Sequence, residues 1–357
     1  MWFTSDNAGP AAPELMQAVM EANDGHAMPY GADPITARAQ DRVREVFEAP
    51  NAVVHFVATG TAANALALGA VTAPWTTVFC HRNAHIEEDE CGAPEFYTGG
   101  AKLTLIDGAH ARMTEAGLAR ALKFTARAGV HNVQRGALSL TQATELGAVY
   151  QPEEVAALAA LARGQSLPVH MDGTRFANAC ARLGKSPAEM SWKAGVDVLC
   201  LGASKNGAMA AEAVIFFDGD RFGDLAAKGW EFELRRKRGG HLFSKLRFMS
   251  AQMDRWLEGG LWLDLAGRAN AMADRLAAGL KAGGRARFDH PVEANALFPA
   301  LPRAMHRRLH EAGARYYMWP FDQSLEGPDD EMLTCRLVCN WATSEADVDA
   351  FIAAANG

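Results

Sequence analysis

One lysine in this chain is set up to form a Schiff base. Lys205 lies in the run Leu201-Gly202-Ala203-Ser204-Lys205-Asn206-Gly207, after an apolar, strand-like segment at 196–201. Its neighbours are small enough to let a flat, bulky group approach. A lysine amine becomes a good nucleophile when burial or nearby positive charge lowers its pKa. Upstream, His170-Met171-Asp172-Gly173-Thr174-Arg175 places an acid at the end of a second strand-like run. An Asp and a Lys at the ends of separate strands are the pair that pyridoxal phosphate needs, as pyridinium-nitrogen partner and aldehyde anchor. The plainer alternative is a solvated lysine beside an ordinary turn.

Other pieces bear on that choice. Thr59-Gly60-Thr61-Ala62-Ala63-Asn64 joins a strand at 53–57 to a helix at 63–71. A Gly-containing turn with hydroxyls at a helix N-terminus can hold a phosphate through backbone N–H groups and the helix dipole. The same residues also serve as ordinary helix caps. Neither G-x-G-x-x-G nor a Walker P-loop is present, which argues against dinucleotides and nucleoside triphosphates. In His81-Arg82-Asn83-Ala84-His85, two histidines at i, i+4 followed by carboxylates invite a metal reading. With no third histidine at ligand spacing, we expect no metal and favour one histidine stacking over a planar cofactor. Arg235-Arg236-Lys237-Arg238 fits a solvated helix face or an anion contact, such as one to a neighbouring subunit's phosphate. Arg336 stands inside the apolar run 333–338, where a charge needs a partner. A substrate carboxylate suits its bidentate fork, and an edge-strand surface arginine is the alternative.

The elements that must position these groups follow an α/β pattern. β-branched runs at 53–57, 77–80, 103–106, 137–140, 167–171, 196–201 and 214–217 alternate with helical stretches such as 152–163. That alternation predicts a mostly parallel sheet covered on both faces, with ligands outside the carboxyl ends of its strands. A charged helix at 225–238, a long helical stretch at 242–281 broken at Gly259-Gly260, and a small α+β unit complete the chain. At 357 residues it is long enough for two domains, and a net charge of -7 with pI ≈ 5.9 gives no global basic field for nucleic acid. No apolar run reaches membrane-spanning length, and the N-terminus lacks the pattern of a secretory signal. Six scattered cysteines without a C-x-x-C pair fit a reducing cytoplasm.

In order along the chain, Ser5-Asp6-Asn7, Pro29-Tyr30-Gly31-Ala32-Asp33-Pro34, Thr59 to Asn64, Ala84-His85, His170 to Arg175, Ser204-Lys205, Arg236-Lys237 and Arg336 resemble the L-threonine aldolase family of fold-type I pyridoxal-phosphate enzymes. Asp89 to Phe96, Thr141-Gln142-Ala143-Thr144-Glu145 and Trp192 to Asp197 are similar to its bacterial phenylserine aldolase subgroup. The resemblance implies a fold-type I architecture: a large domain at 1–243 with a mostly parallel seven-stranded sheet, and a small C-terminal α+β domain at 244–357. It implies Lys205 as the Schiff-base lysine, Asp172 as the ring-nitrogen partner, Gly60 and Thr61 in the phosphate loop, and His85 as the stacking histidine and candidate base. Arg175 would contact the cofactor hydroxyl or substrate carboxylate, and Arg336 with Ser5 would grip that carboxylate. Arg236 and Lys237 would reach a neighbour's phosphate and Tyr30 would join that shared site, in a homotetramer. The implied reaction is retro-aldol cleavage of a β-hydroxy-α-amino acid to glycine and an aldehyde. A β-eliminating lyase or a non-catalytic cofactor carrier is the rival. Many members carry a second histidine where this chain has Thr144; with Thr144 expected there as a substrate contact, the β-hydroxyl must be handled differently, through His85, Glu145, water or an unseen group.

Overall fold

Seven strands form the central sheet of the computed structural model, which describes residues 1–219 and 222–357. They are β1 (Val53–Val57), β2 (Thr76–His81), β3 (Lys102–Ile106), β4 (Gln134–Thr141), β5 (Val169–Gly173), β6 (Val198–Gly202) and β7 (Glu212–Phe216), in the order β1-β7-β6-β5-β4-β2-β3. All seven apolar runs read from the sequence lie in this sheet. β2 to β6 pair in parallel, and β7 alone runs antiparallel between β1 and β6. β5, β6 and β7 are buried along their whole length, as expected of strands covered on both faces.

Helices cover the sheet. α1 (Gly60–Val71) is apolar all round and almost wholly buried, with Thr59 accepting the Ala62 N–H as its cap. α2 (Pro152–Arg163) starts with proline and a Gln151–Glu154 capping box, so its ends match the sequence reading. α3 (Leu225–Arg238) is capped by Asp224. The long stretch expected from 242 begins later, as α4 (Arg247–Leu257), because Gly240 turns at φ 78 and the following loop is tied to Tyr30 through the Ser244 carbonyl. Gly259 and Gly260 take left-handed φ values of 60 and 80, which end α4 before α5 (Leu261–Ala282) at the expected break.

The C-terminal part carries a small antiparallel sheet of β8 (Arg287–Phe288), β9 (Ala296–Leu297), β10 (Pro299–Pro302), β11 (Tyr317–Met318) and β12 (Met332–Val338), followed by α6 (Glu345–Asn356). Its core includes Leu276, Leu297, Leu337 and Phe351, and also Phe3 from the N-terminus. The expected seam at 243 and 244 precedes α4, whereas the core changes only within α5. Met253, Trp256 and Leu265 pack with the large core, and Ala273, Leu276 and Leu280 with the small one. One continuous helix therefore belongs to both units.

Candidate active site

β5 and β6 run in parallel with Gly173 opposite Leu201, which carries Asp172 and Lys205 to the same end of the sheet. Gly202 allows close approach there, since a Cβ would meet the Thr174 Cα at 2.7 Å and a Glu212 oxygen at 2.9 Å. Lys205 sits in a single helical turn, Ser204–Asn206. That turn is fastened from below, with the Asn206 amide donating to the Trp262 carbonyl at 2.8 Å and the Trp256 indole to the Asn206 carbonyl at 3.0 Å. Burial, then the Arg175 charge, pulls the Lys205 amine below its ordinary pKa against Asp6, Asp172 and Glu212. This is the condition a nucleophilic amine needs.

Asp172 is buried and fully engaged. The Thr174 amide and hydroxyl donate to one oxygen, and the Asn64 amide donates to the other at 2.9 Å. Burial opposes ionisation, but the His85 charge, the Thr174 bonds and Lys205 outweigh it, and the carboxyl is held below its usual range. Asn64 also donates to Glu90 at 2.8 Å, and the same Glu90 oxygen meets His85 Nδ1 at 2.8 Å. His85, Glu90, Asn64 and Asp172 thus form one hydrogen-bonded chain. Burial lowers the His85 pKa, but the Glu90 bond and the Asp172 charge prevail and the net shift is upward. Ligand atoms of His85, Glu90 and Asp172 lie within 4.8 Å of one another, a gathering those hydrogen bonds explain. His81 faces elsewhere: its Nε2 meets the Gly108 carbonyl and its Nδ1 accepts the Asn83 N–H, so the two histidines read together in the sequence do not share a site.

Two guanidinium groups share the adjoining cleft. Arg175 is held bidentately by buried Asp6, at 2.7 and 3.1 Å. Arg336, on β12, donates to the Thr4 carbonyl at 3.3 Å and lies over the rings of Trp319 and Tyr317. Its Nε is buried with no partner among the described residues. Burial and the Arg175 charge lower the Arg336 pKa, so two cations face one cavity that also holds Ser5, Lys205, His85, Glu145 and Trp319. An anionic ligand would relieve both the repulsion and the orphan donor. On the other side, Gly60 and Thr61 line a cavity of ≈ 460 Å³ with Lys205, Ser204 and Thr174, where the first amides of α1 precede any intrahelical bond. A lowered amine, an ionised carboxylate and an anion-holding helix start together fit pyridoxal phosphate.

Two expectations need correction. The Thr144 hydroxyl donates to the His110 carbonyl at 2.8 Å and accepts the Ala148 N–H, so it is spent on its own loop rather than on a substrate. Arg236 points into the protein: Glu233 and the Phe56 carbonyl take its guanidinium, because it shares the inward helix face with Phe232 and Gly229. Tyr30 does not line the Lys205 cleft of its own chain. Its backbone is bonded to Ser244, its ring lies 4.8 Å from the Lys237 ammonium, and both border a neighbouring cavity of ≈ 580 Å³. The sequence reading passed over the roles of Asp6, Asn64, Glu90, Glu212 and Trp319. Asp6 and Asn64 stand inside motifs visible in the sequence, but nothing there names their partners.

Comparisons with known proteins agree with this fold and with pyridoxal phosphate as the cofactor. The beta-eliminating lyase family model matches residues 3–301. A low specificity L-threonine aldolase from Pseudomonas aeruginosa is 42% identical over 342 residues, covering 96% of this chain and 93% of that protein. A threonine aldolase structure from Leishmania major superposes with TM-score 0.89 at 27% identity, covering 99% and 98% of the two chains. A Sphingomonas wittichii serine palmitoyltransferase shares the fold, with TM-score 0.69 at 14% identity over 100% of this chain and 86% of that one. The fold is therefore that of the fold-type I pyridoxal-phosphate enzymes, and the chain belongs to the L-threonine aldolase family within the beta-eliminating lyases, a lyase whose cofactor is pyridoxal 5'-phosphate.

Proposed function

We propose that the protein cleaves L-β-hydroxy-α-amino acids, phenylserine as well as threonine and allo-threonine, to glycine and an aldehyde. The observation that carries this reading is the convergence of Arg336, with its unpartnered buried Nε, and Arg175 on the cleft that contains Lys205. A site of that kind takes an α-amino acid by its carboxylate beside a reactive amine, which a mere cofactor carrier has no need to do. Pyridoxal phosphate, when bound, supplies the electron sink that lets a bond at Cα break.

The chain's own groups do the rest. Arg336 and Ser5 would take the substrate carboxylate, and that grip would set the orientation of the bonds at Cα. Asp172, kept ionised, would hold the proton of the cofactor's ring nitrogen. His85, buttressed by Glu90, would pack against the cofactor. Lys205, with its lowered amine pKa, would hold the cofactor's aldehyde carbon and carry the proton at the substrate Cα. Trp319 borders the cleft and packs edge-on against Phe298 and Phe321, an aromatic wall suited to a phenyl side chain. Exposed Lys237 and Tyr30 would serve a neighbouring subunit's cofactor phosphate, in a homotetramer. No helix among the described residues is long and apolar enough to cross a membrane; all six cysteines are free, which supports the cytoplasm as its place.

Steady-state cleavage of L-threo-phenylserine, L-threonine and L-allo-threonine tests the reading. Aldehyde and glycine in equal amounts, with phenylserine at least as good a substrate as threonine, is the expected result. Ammonia and a keto acid instead would assign the β-eliminating chemistry that the family's name also covers.

A further inference from the structure

Retro-aldol cleavage needs an acceptor for the β-hydroxyl proton, and the loop after β4 offers one. Its residue Thr144 is spent on backbone groups, but the next residue, Glu145, turns into the cleft that holds Lys205, Arg175 and Arg336. The loop is rigid. The Gln142 side chain exchanges two hydrogen bonds with the Tyr150 backbone, at 2.8 and 3.0 Å. Gly147 (φ 79) lies so close to Ala296 that a Cβ would meet its carbonyl at 2.7 Å. One Glu145 oxygen accepts the His85 backbone N–H at 2.9 Å, which fixes the carboxyl beside the ring-covering histidine. The other, Oε2, is shielded from solvent and has no hydrogen-bond partner among the described residues, although the residue as a whole is only half-buried.

We infer that Glu145 is the group that accepts the substrate's β-hydroxyl proton, a role that rests on the aldolase reading above. The proton passes to Oε2, the O–H pair becomes the second bond of the aldehyde carbonyl, and the Cα–Cβ bond breaks. The pair from that bond stays with the glycine carbon, which then takes a proton, so no oxidant, reductant or water is consumed. His85 is the poorer acceptor. Its Nδ1 is engaged by Glu90 and its surroundings favour the protonated ring, which has no free lone pair. Burial pushes the Glu145 carboxyl up to about 7, opposed by its own amide and the Thr141 hydroxyl, which brings it near the pH at which a general base works best. The charged groups around it are Asp172, Arg175, His85, Glu88, Asp89, Lys205 and Arg336.

Glu145→Gln keeps an oxygen for the His85 N–H and removes the base. Phenylserine cleavage should fall at least about 10²-fold, the usual worth of a positioned base. Exchange of the glycine α-proton in deuterated water, which needs Lys205 and the carboxylate grip but no hydroxyl base, should stay within about threefold, with the visible cofactor band unchanged. The acidic limb of the kcat/KM profile near pH 7 should vanish in Glu145→Gln and persist in Glu145→Asp. Cleavage by Glu145→Gln within about threefold of the unsubstituted enzyme would overturn this role alone, as would an equal loss of exchange and cleavage, which would mark Glu145 as a brace for His85. An unsubstituted enzyme that exchanged glycine protons but cleaved none of the three substrates would overturn the aldolase reading and this role with it.

Discussion

Lys205 owes its chemistry to position. Buried at the sheet edge beside Arg175, its amine loses part of the stabilisation that water gives an ammonium, while Asp6, Asp172 and Glu212 keep it from becoming a wholly neutral orphan. Lys205→Ala removes the anchor and leaves the phosphate turn and Asp172 in place. Purified variant mixed with pyridoxal phosphate should therefore show no Schiff-base absorbance in the visible and no borohydride-stable adduct, with cleavage down at least about 10²-fold. A retained adduct would move the anchor to another amine. Lys205, Asp172 and Arg336 were legible because each is a charge set in or just after an apolar run, where only a ligand or a buried partner makes it tolerable. Asp6 was not, since its partner Arg175 lies 169 residues away and only folding brings the two together. Thr144 misled for a related reason: alignment gives the position of a side chain but not the carbonyl it bonds.

At the scale of elements, the apolar runs told where strands lie but not which way they point. β7 is antiparallel because the link 203–211 is too short for the crossover that a parallel neighbour needs, a clue present in the spacing. The lysine turn is that same link, so the hairpin between β6 and β7 is what presents Lys205. α3 shows the complementary point. Its basic run reads as one patch in sequence, yet successive residues lie 100° apart around a helix, and Arg236 is buried while Lys237 is exposed. Arg236→Met should cost about 1–3 kcal/mol, since Glu233 and the Phe56 carbonyl lose their donor. Lys237→Ala should change stability by no more than about 0.5 kcal/mol, while speeding loss of cofactor on dialysis if it serves a neighbour's phosphate. Urea midpoints and retained cofactor for the pair decide the matter, and the opposite pattern would mean the two helix faces have been exchanged.

For the whole molecule, the site depends on two cores meeting. Ser5, Asp6 and Arg336 come from the side built on the small sheet and Phe3, and Lys205 and Asp172 from the large sheet, with α5 running through both. Each core also holds a buried neutral histidine. His170 lies between Ser139 and Cys200, and His306 between the Tyr316 hydroxyl and the Leu333 carbonyl. Burial lowers both pKa values to about 4, against about 6.5 in an unfolded chain. Above pH 6.5 neither state binds the proton and the native state keeps its full advantage. As the pH falls from 6.5 to 4 the unfolded chain takes up protons that the native chain refuses, and each histidine withdraws up to about 3 kcal/mol of stability. Glu145 and Glu212, raised to about 7, act with the opposite sign over an overlapping range, so the unsubstituted protein's own pH profile blends the two. His306→Gln isolates one term. The variant should be less stable at pH 7, and its deficit should shrink by about 2 kcal/mol by pH 5, because only the unsubstituted chain still carries the histidine penalty. Urea unfolding at the two pH values measures that difference, and a deficit independent of pH would mean that His306 titrates alike in the folded and unfolded chain.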